Sequence, residues 1–250
     1  MKTLSQQAQE RMKREFGEPW FYADWKEVLM LHFAVQPELL QPYVPFELDL
    51  RDGLAYVSLV GFDLKRMRPT RGGALGRLAF APIATHPFLN VRTYVKHGGE
   101  TGIYFLSEWL PNRLSVMLGR PVFGLPYRLG KLEYHHAEGD RLQGCVSDGK
   151  GSVEWRGPLS PAAKDLRAAE LGTLTEWLME RYTAFTHWLG FKRRFRIWHP
   201  PWQQAAVEVE IDDQGLLGQL GDWAGKARYV GAHWAPGFDD VWMGAPHWVN

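Results

Sequence analysis

Apolar and polar residues alternate with a period of two along most of this chain, the mark of strands whose two faces meet different surroundings. "LAYVSLVGFDLKRM" (54–67) alternates after the turn signal Asp52-Gly53, and "LNVRTYVKH" (89–97) and "TGIYFLSEWL" (101–110) flank Gly98-Gly99 as a predicted hairpin. "YRLGKLEYHHAEGDRLQGCVS" (127–147) predicts a second hairpin, turning at Glu138-Gly139-Asp140. "GSVEWRG" (151–157), "AAVEVEID" (205–212), "ARYVGAHWAP" (227–236) and "DDVWMG" (239–244) predict further strands. "DWKEVLMLHFAV" (24–35) opens on Asp24, a residue type suited to a helix cap, and then turns β-like.

Helical spacing is confined to short intervals. Residues 4–16 hold good helix formers with little apolar face, which predicts a weakly packed helix or a subunit contact. "QPELLQPYVP" (36–45) reads as one helical turn started by Pro37 and ended by Pro42, and "RLSVMLGRPVF" (113–123) as a short helix. "LTEWLMERYTAF" (174–185) places Leu174, Leu178 and Tyr182 on one face, and "PAAKDLRAAE" (161–170) is a weaker helix. Many strands, few helices and no β-α-β rhythm predict a mainly β fold with peripheral helices, a closed antiparallel barrel or a sandwich. One domain over 1–250, with a helical extension at about 1–20, is expected.

Composition narrows the function classes. Lys+Arg is 29 against Asp+Glu 28, so no chain-wide field draws nucleic acid or an anionic membrane. The basic run "FKRRFRIW" (191–198) mixes cations with aromatics, but one short patch is expected to be a solvated loop rather than a strand binder. A single cysteine, Cys145, offers no internal disulfide and no cysteine-type zinc site, in keeping with a reducing cytoplasm. No stretch nears the roughly 20 apolar residues of a membrane span. Neither a Gly-x-Ser-x-Gly nor a phosphate-binding glycine loop occurs. Histidines have no metal-ligand spacing, and His199 and His233, each beside a Trp, are expected to be structural; no metal or cofactor is expected.

Two stretches hold candidate chemistry. In "NVRTYVK" the period of two puts Asn90, Arg92, Tyr94 and Lys96 on one face. That face is either solvated or turned into a barrel, where Arg92 would be a fork for a carboxylate. Glu108 on the neighbouring strand would then hold Arg92 or remain a surface charge. In "YRLGKLEY", a flat strand puts Tyr127, Leu129, Lys131 and Glu133 on one face. Lys131 is either a surface partner of Glu133 or, if desolvated, a nucleophilic amine.

Five segments, "LHFAVQPELLQPYVPFELDLRDGLAYVSLVGFDL", "NVRTYVKHGGETGIYFLSEW", "FGLPYR", "LTEWLMERY" and "HPPW", occur in the order seen in the YqjF-like, or DUF2071, family of uncharacterised bacterial proteins. The chain resembles that family from about residue 24 to its end. The resemblance implies a closed antiparallel β-barrel or cone like that of acetoacetate decarboxylase, around a small-molecule cavity. In the decarboxylase a Gly-x-Pro is followed by two lysines, the first of which forms a Schiff base (the desolvated or cation-flanked lysine of acetoacetate decarboxylase is a standard example of an activated amine). Here Gly124-Leu125-Pro126 is followed by Tyr127 and Arg128. A phenol forms no imine, and arginine is no usable amine nucleophile. Family members often carry a glutamate two residues before the Asn of "NVRTY"; this chain has Phe88.

The expectation is therefore a cavity for a small organic acid or carbonyl compound without the Schiff-base step. Arg92 would bind the anion, Tyr94 and Tyr127 would donate hydrogen bonds or protons, and Glu108, Arg120 and Arg128 would complete the site. If catalytic, it would be a lyase or hydrolase-like activity without an imine. A non-catalytic binder or sensor, an interaction protein, or a divergent lyase using Lys131 are the alternatives, and the N-terminal helix offers a contact for a homo-oligomer.

Overall fold

The computed structural model describes residues 2–15, 17–138, 140–159 and 165–249. Strands occur in chain order as β1 (Phe21–Val35), β2 (Glu47–Leu48), β3 (Ala55–Pro69), β4 (His86–His97), β5 (Glu100–Leu110), β6 (Tyr127–Leu129), β7 (Lys131–Glu138), β8 (Arg141–Ser147) and β9 (Ser152–Pro158). They continue as β10 (Thr183–Trp188), β11 (Phe191–Trp198), β12 (Ala205–Val207), β13 (Glu210–Gln214), β14 (Arg228–Met243) and β15 (His247–Trp248). The helices are α1 (Leu4–Arg14), α2 (Pro37–Leu40), α3 (Gly73–Phe80), α4 (Arg113–Phe123) and α5 (Leu174–Met179).

The main sheet runs β12-β14-β1-β3-β4-β5-β10-β11-β15. Pairing of β11 with β14, at Ile197 with Met243 and Trp198 with Trp242, brings the path back on itself, so seven strands from β14 round to β11 form a ring. The mainly β, barrel-like expectation holds, with one amendment: β5 pairs in parallel with β10 and with β6. A second sheet, β13-β9-β8-β7, is antiparallel throughout.

β1 shows why the apolar run at 28–35 is continuous. Val28, Met30 and Ala34 join one core with Phe62, Phe105 and Phe195, inside the ring. Leu29, Leu31 and Val35 join another with Leu142, Val146 and Trp155 of the second sheet. A strand buried on both faces needs no polar face. Asp24 caps no helix; it lies in β1 and bonds Arg66 of β3.

Turn chemistry fixes the hairpin that matters most. Gly98 and Gly99 hold φ of 58° and 77°, the left-handed pair a two-residue β4–β5 connection requires. The second predicted hairpin keeps its β7–β8 pairing, while Gly139 at its turn lies outside the described residues. Its first strand, however, is cut in two. After Leu129 the chain leaves β5 and enters the second sheet at Lys131. Gly130 makes the crossing, where a Cβ would sit 3.1 Å from the Trp109 ring and 3.2 Å from Ser147 O.

Other expectations shift for like reasons. The helix expected over 174–185 stops at Met179, and the β-branched and aromatic run from Thr183 becomes β10 between β5 and β11. "AAVEVEID" divides into β12 of the main sheet and β13 of the second. Of the weak helix over 161–170, residues 161–164 lie outside the described residues, and Leu166–Glu170 are not helical. The basic run 191–198 is a strand, not a loop, and Arg194 and Arg196 pair with Glu15 and Glu100. α1, capped by Thr3, packs on β11 through buried Ser5, Ala8 and Met12 rather than weakly, with Ser5 Oγ donating to His199 O at 2.7 Å. α3 was not foreshadowed by any apolar period. Among the described residues no helix is long and apolar enough to cross a membrane.

Candidate functional site

Inside the ring lies a cavity of about 190 Å³, walled by Phe21, Val28, Phe62, Phe105, Phe123 and similar side chains, with a few polar residues among them. Strand geometry orders its depth. His86, Phe88, Asn90 and Arg92 are alternate residues of β4 and all line it, a span of roughly 20 Å at about 3.3 Å per residue. Arg92 marks the inner end. His86 lies beside α4, where its Nε2 meets Ser115 Oγ at 3.2 Å, and α3 supplies Phe80 to the lining.

One register sets the polar group. Asn90 of β4 is opposite Glu108 of β5, and Glu108 is opposite Tyr127 of β6, so three strands present them side by side. A β-bulge makes this possible. Arg92 pairs with Phe105 but Val91 pairs with Ser107, leaving Leu106 as a surplus residue. Ile103, Phe105 and Glu108 therefore all face inward, which strict alternation forbids. Tyr127 is held from the other side by α4, whose Gly119 sits directly on its ring; a Cβ there would overlap it. Asn112 caps α4 by accepting from Ser115 N, and Gly124 ends it in the left-handed region, aiming Pro126 and Tyr127 back along β5.

The electrostatics are unusual for an interior. Arg92 is 7% exposed and has no ion pair among the described residues. Its Nη2 donates to Leu178 O at 3.4 Å and touches Met30 Sδ at 3.8 Å, and its Nε has no partner. Glu108 is 3% exposed, and burial with no cation beside it drives its carboxyl well above the usual range, favouring the protonated acid. Burial, then the neighbouring Glu108, raises the Tyr127 phenol likewise. Asn90 Oδ1, Arg92 Nε, Glu108 Oε2, Trp25 Nε1 and Trp202 Nε1 are all buried without a partner, and all five residues line this cavity.

The other sequence candidates fall elsewhere. Lys131, expected to share the face of Tyr127, is carried away by the break at Gly130; it is exposed on β7, paired with Glu133 at 2.7 Å, and that carboxylate raises its pKa instead of lowering it. Arg120 is exposed on α4, and Arg128 lies over the Trp109 ring at 5.6 Å; neither lines the cavity. Tyr94 is fully buried but also off the lining. Its hydroxyl donates to Leu178 O at 2.9 Å and accepts from Ser58 Oγ at 2.6 Å, which accepts from His32 Nδ1 at 2.7 Å. His32 Nε2 accepts from His233 Nδ1 at 3.1 Å, and burial holds both imidazoles neutral, His233 at a pKa of about 4. His199 donates from Nδ1 to Pro200 O and is enclosed by Tyr182, Trp202 and Phe238.

Phe88 does line the cavity where relatives were expected to carry an acid, and Glu108, one strand over, supplies a carboxyl beside the same Asn90. Asn90 was legible as part of the polar face of β4. Trp25 and His86 gave no signal as site residues, and Trp202 entered only as the last residue of "HPPW". Outside the cavity, Glu15, Glu18 and His247 hold atoms within 4.8 Å of one another that could take a metal ion, although Arg194 and Arg196 already donate to Glu15 Oε1.

Comparison with known proteins agrees with this fold. The family model DUF2071, described as an uncharacterized conserved protein, matches residues 22–239. The uncharacterized protein YqjF of Bacillus subtilis (strain 168) is 34% identical over 193 residues, 75% of this chain and 76% of that protein. Among solved structures, an acetoacetate decarboxylase-like enzyme from Sphingomonas wittichii RW1 superimposes with a TM-score of 0.63 at 16% identity, covering 93% of this chain and 94% of that one. Acetoacetate decarboxylase from Legionella pneumophila gives 0.63 at 14%, covering 92% and 87%. The enduracididine biosynthesis enzyme MppR, complexed with pyruvate, gives 0.63 at 14%, covering 92% and 90%. At such identities the likeness is one of fold.

Proposed function

The chain belongs to the DUF2071 family, and from the polar groups gathered in its cavity we propose that it takes up a small, largely apolar carboxylic or oxo acid. Arg92 holds the carboxylate, and Glu108 and Tyr127 donate to a carbonyl oxygen. The observation that carries this reading is the set of five partnerless polar atoms on one apolar wall. Leaving a buried polar group unpaired costs about 1–3 kcal/mol each, and more for a charge. A ligand with a carboxylate and a carbonyl answers four of the five: it accepts from the Arg92 and Trp N–H groups and from the protonated carboxyl, while Asn90 Oδ1 calls for a donor.

Size supports the class. An engineered apolar cavity of about 150 Å³ holds benzene, so about 190 Å³ suits a ring or a short branched chain bearing a head group. The fold relative that holds pyruvate lends weight to an oxo acid. A protonated carboxyl beside a neutral phenol suits proton transfer next to a carbonyl, a lyase or hydrolase-like step without an imine. The position of Lys131 outside the cavity speaks against the amine-dependent alternative.

Thermal unfolding with a panel of short, branched and aromatic carboxylic and 2-oxo acids tests the reading. A ligand at a hundred times its Kd adds about 2.7 kcal/mol, which for a chain of this size raises Tm by roughly 5–10 °C. The shift should vanish in Arg92→Met. No shift with any acid of the panel overturns the proposal. Glu108→Gln should keep the shift and lose any consumption of the acid followed by NMR, which separates turnover from binding.

A further inference from the structure

One end of the cavity is lined from two helices whose free faces are apolar and basic. α3 has no buried residue, and Leu75 and Leu78 are 80% and 71% exposed. On α4, Met117 is 64% exposed, and Leu114, Leu118 and Val122 are exposed as well. These two helices carry six of the sixteen exposed large apolar residues among the described residues, so the patch is concentrated, not scattered. The helices adjoin: Asn112 Nδ2, at the α4 cap, donates to Pro82 O at 2.6 Å in the 3₁₀ turn Ala81–Ile83 that follows α3.

Charge distinguishes what can cover this face. Residues 70–85 contain Arg71 and Arg77 and no acid; residues 111–123 contain Arg113 and Arg120 and no acid. All four arginines are exposed and without an ion pair among the described residues. The net charge of +1 averages this concentration away. A two-fold contact with a second copy would set arginine against arginine and is disfavoured. Leucine and methionine interspersed with unpaired arginine instead match the interface of an anionic bilayer, where apolar side chains enter the headgroup boundary and the basic ones meet phosphates.

We propose that the α3–α4 face docks on an anionic phospholipid surface. Because Phe80 and Ile83 from one side and Leu118, Val122 and Phe123 from the other also line the cavity, docking sets this end of the cavity beside the bilayer, where an apolar acid would be concentrated. The docking itself does not depend on the cavity reading.

Co-sedimentation of the full chain with vesicles tests it. Vesicles of phosphatidylcholine mixed with phosphatidylglycerol should carry the protein down, while phosphatidylcholine alone should not, and raised salt should release it. Arg77→Glu with Arg120→Glu should lower partitioning at least about thirtyfold. Leu78→Ser with Met117→Ser should abolish it with Tm unchanged, since both side chains are in solvent. Arg92→Met should sediment like the parent, so failure of the cavity reading leaves this result intact. Absence of sedimentation with the mixed vesicles overturns the proposal. So does a dimer, by light scattering, that the Leu78→Ser, Met117→Ser variant converts to monomer, because a second copy then owns the face.

Discussion

Replacing Arg92 by methionine should make the empty protein more stable, not less. The guanidinium sits 7% exposed with no counter-ion among the described residues, and its polar contacts are a 3.4 Å hydrogen bond to Leu178 O and a sulfur contact to Met30. Effective desolvation of such an ion costs several kcal/mol, and exchanging buried ionic groups for apolar ones of similar volume has stabilised proteins by about 1–4 kcal/mol. Against that stands the bond to Leu178 O, which is long, and whose acceptor keeps the 2.9 Å bond from Tyr94. Methionine fills the space without a polar atom that needs a partner. The balance is a gain of about 1–3 kcal/mol, or roughly 3–10 °C in Tm for a chain this long. Urea and thermal unfolding in a buffer free of carboxylates read it directly. A loss of 3 kcal/mol or more would refute the reasoning, for that is the signature of removing one member of a satisfied buried pair. The same substitution should erase stabilisation by acids, so stability and binding move in opposite directions at one residue.

Three further outcomes follow from the geometry. Glu108 has a native pKa raised by burial, so the folded state holds its proton where the unfolded chain, near a pKa of about 4.3, has released it. Stability from this group is complete below that value and falls as pH rises toward the native pKa; Glu108→Gln should remove up to about 1.4 kcal/mol per pH unit of that slope, measured by urea unfolding from pH 5 to 8. Gly119→Ala forces a methyl into the Tyr127 ring and should cost about 1–3 kcal/mol while weakening any acid-induced Tm shift. An unchanged Tm would mean the ring is free to swing away. Lys131→Ala should leave Tm and ligand shifts as they are, and borohydride with acetoacetate or pyruvate should add no mass that depends on Lys131, given its exposed pairing with Glu133.

What the sequence disclosed and withheld divides along range. The β4–β5 hairpin, α4 and the two segments that join into the single strand β14 were legible, because Gly98-Gly99, the helical spacing of 113–123 and two-residue alternation act within a few residues. The inward placement of Arg92 and Glu108 was not, since a polar strand face looks alike against solvent and lumen until the ring closes at Ile197 and Met243. Gly130 read as an ordinary strand residue; only its crowding by Trp109 and Ser147, far away in sequence, shows that the chain changes sheets there and takes Lys131 with it. The helical pattern at 174–185 lost its second half to pairing with β5 and β11, a tertiary preference no local window contains. Trp25 and Trp202 spell core in any reading; their lone N–H groups become visible only beside an empty volume.

The surplus residue at Leu106 uncouples chain position from lumen position. A homologous strand one residue shorter between its phenylalanine and its glutamate would deliver that carboxyl to the same place by plain alternation. Columns of aligned residues can thus disagree about this acid while the proteins agree, and the carboxyl is better traced by what it stands opposite, Asn90 on one side and Tyr127 on the other, than by counting along the backbone.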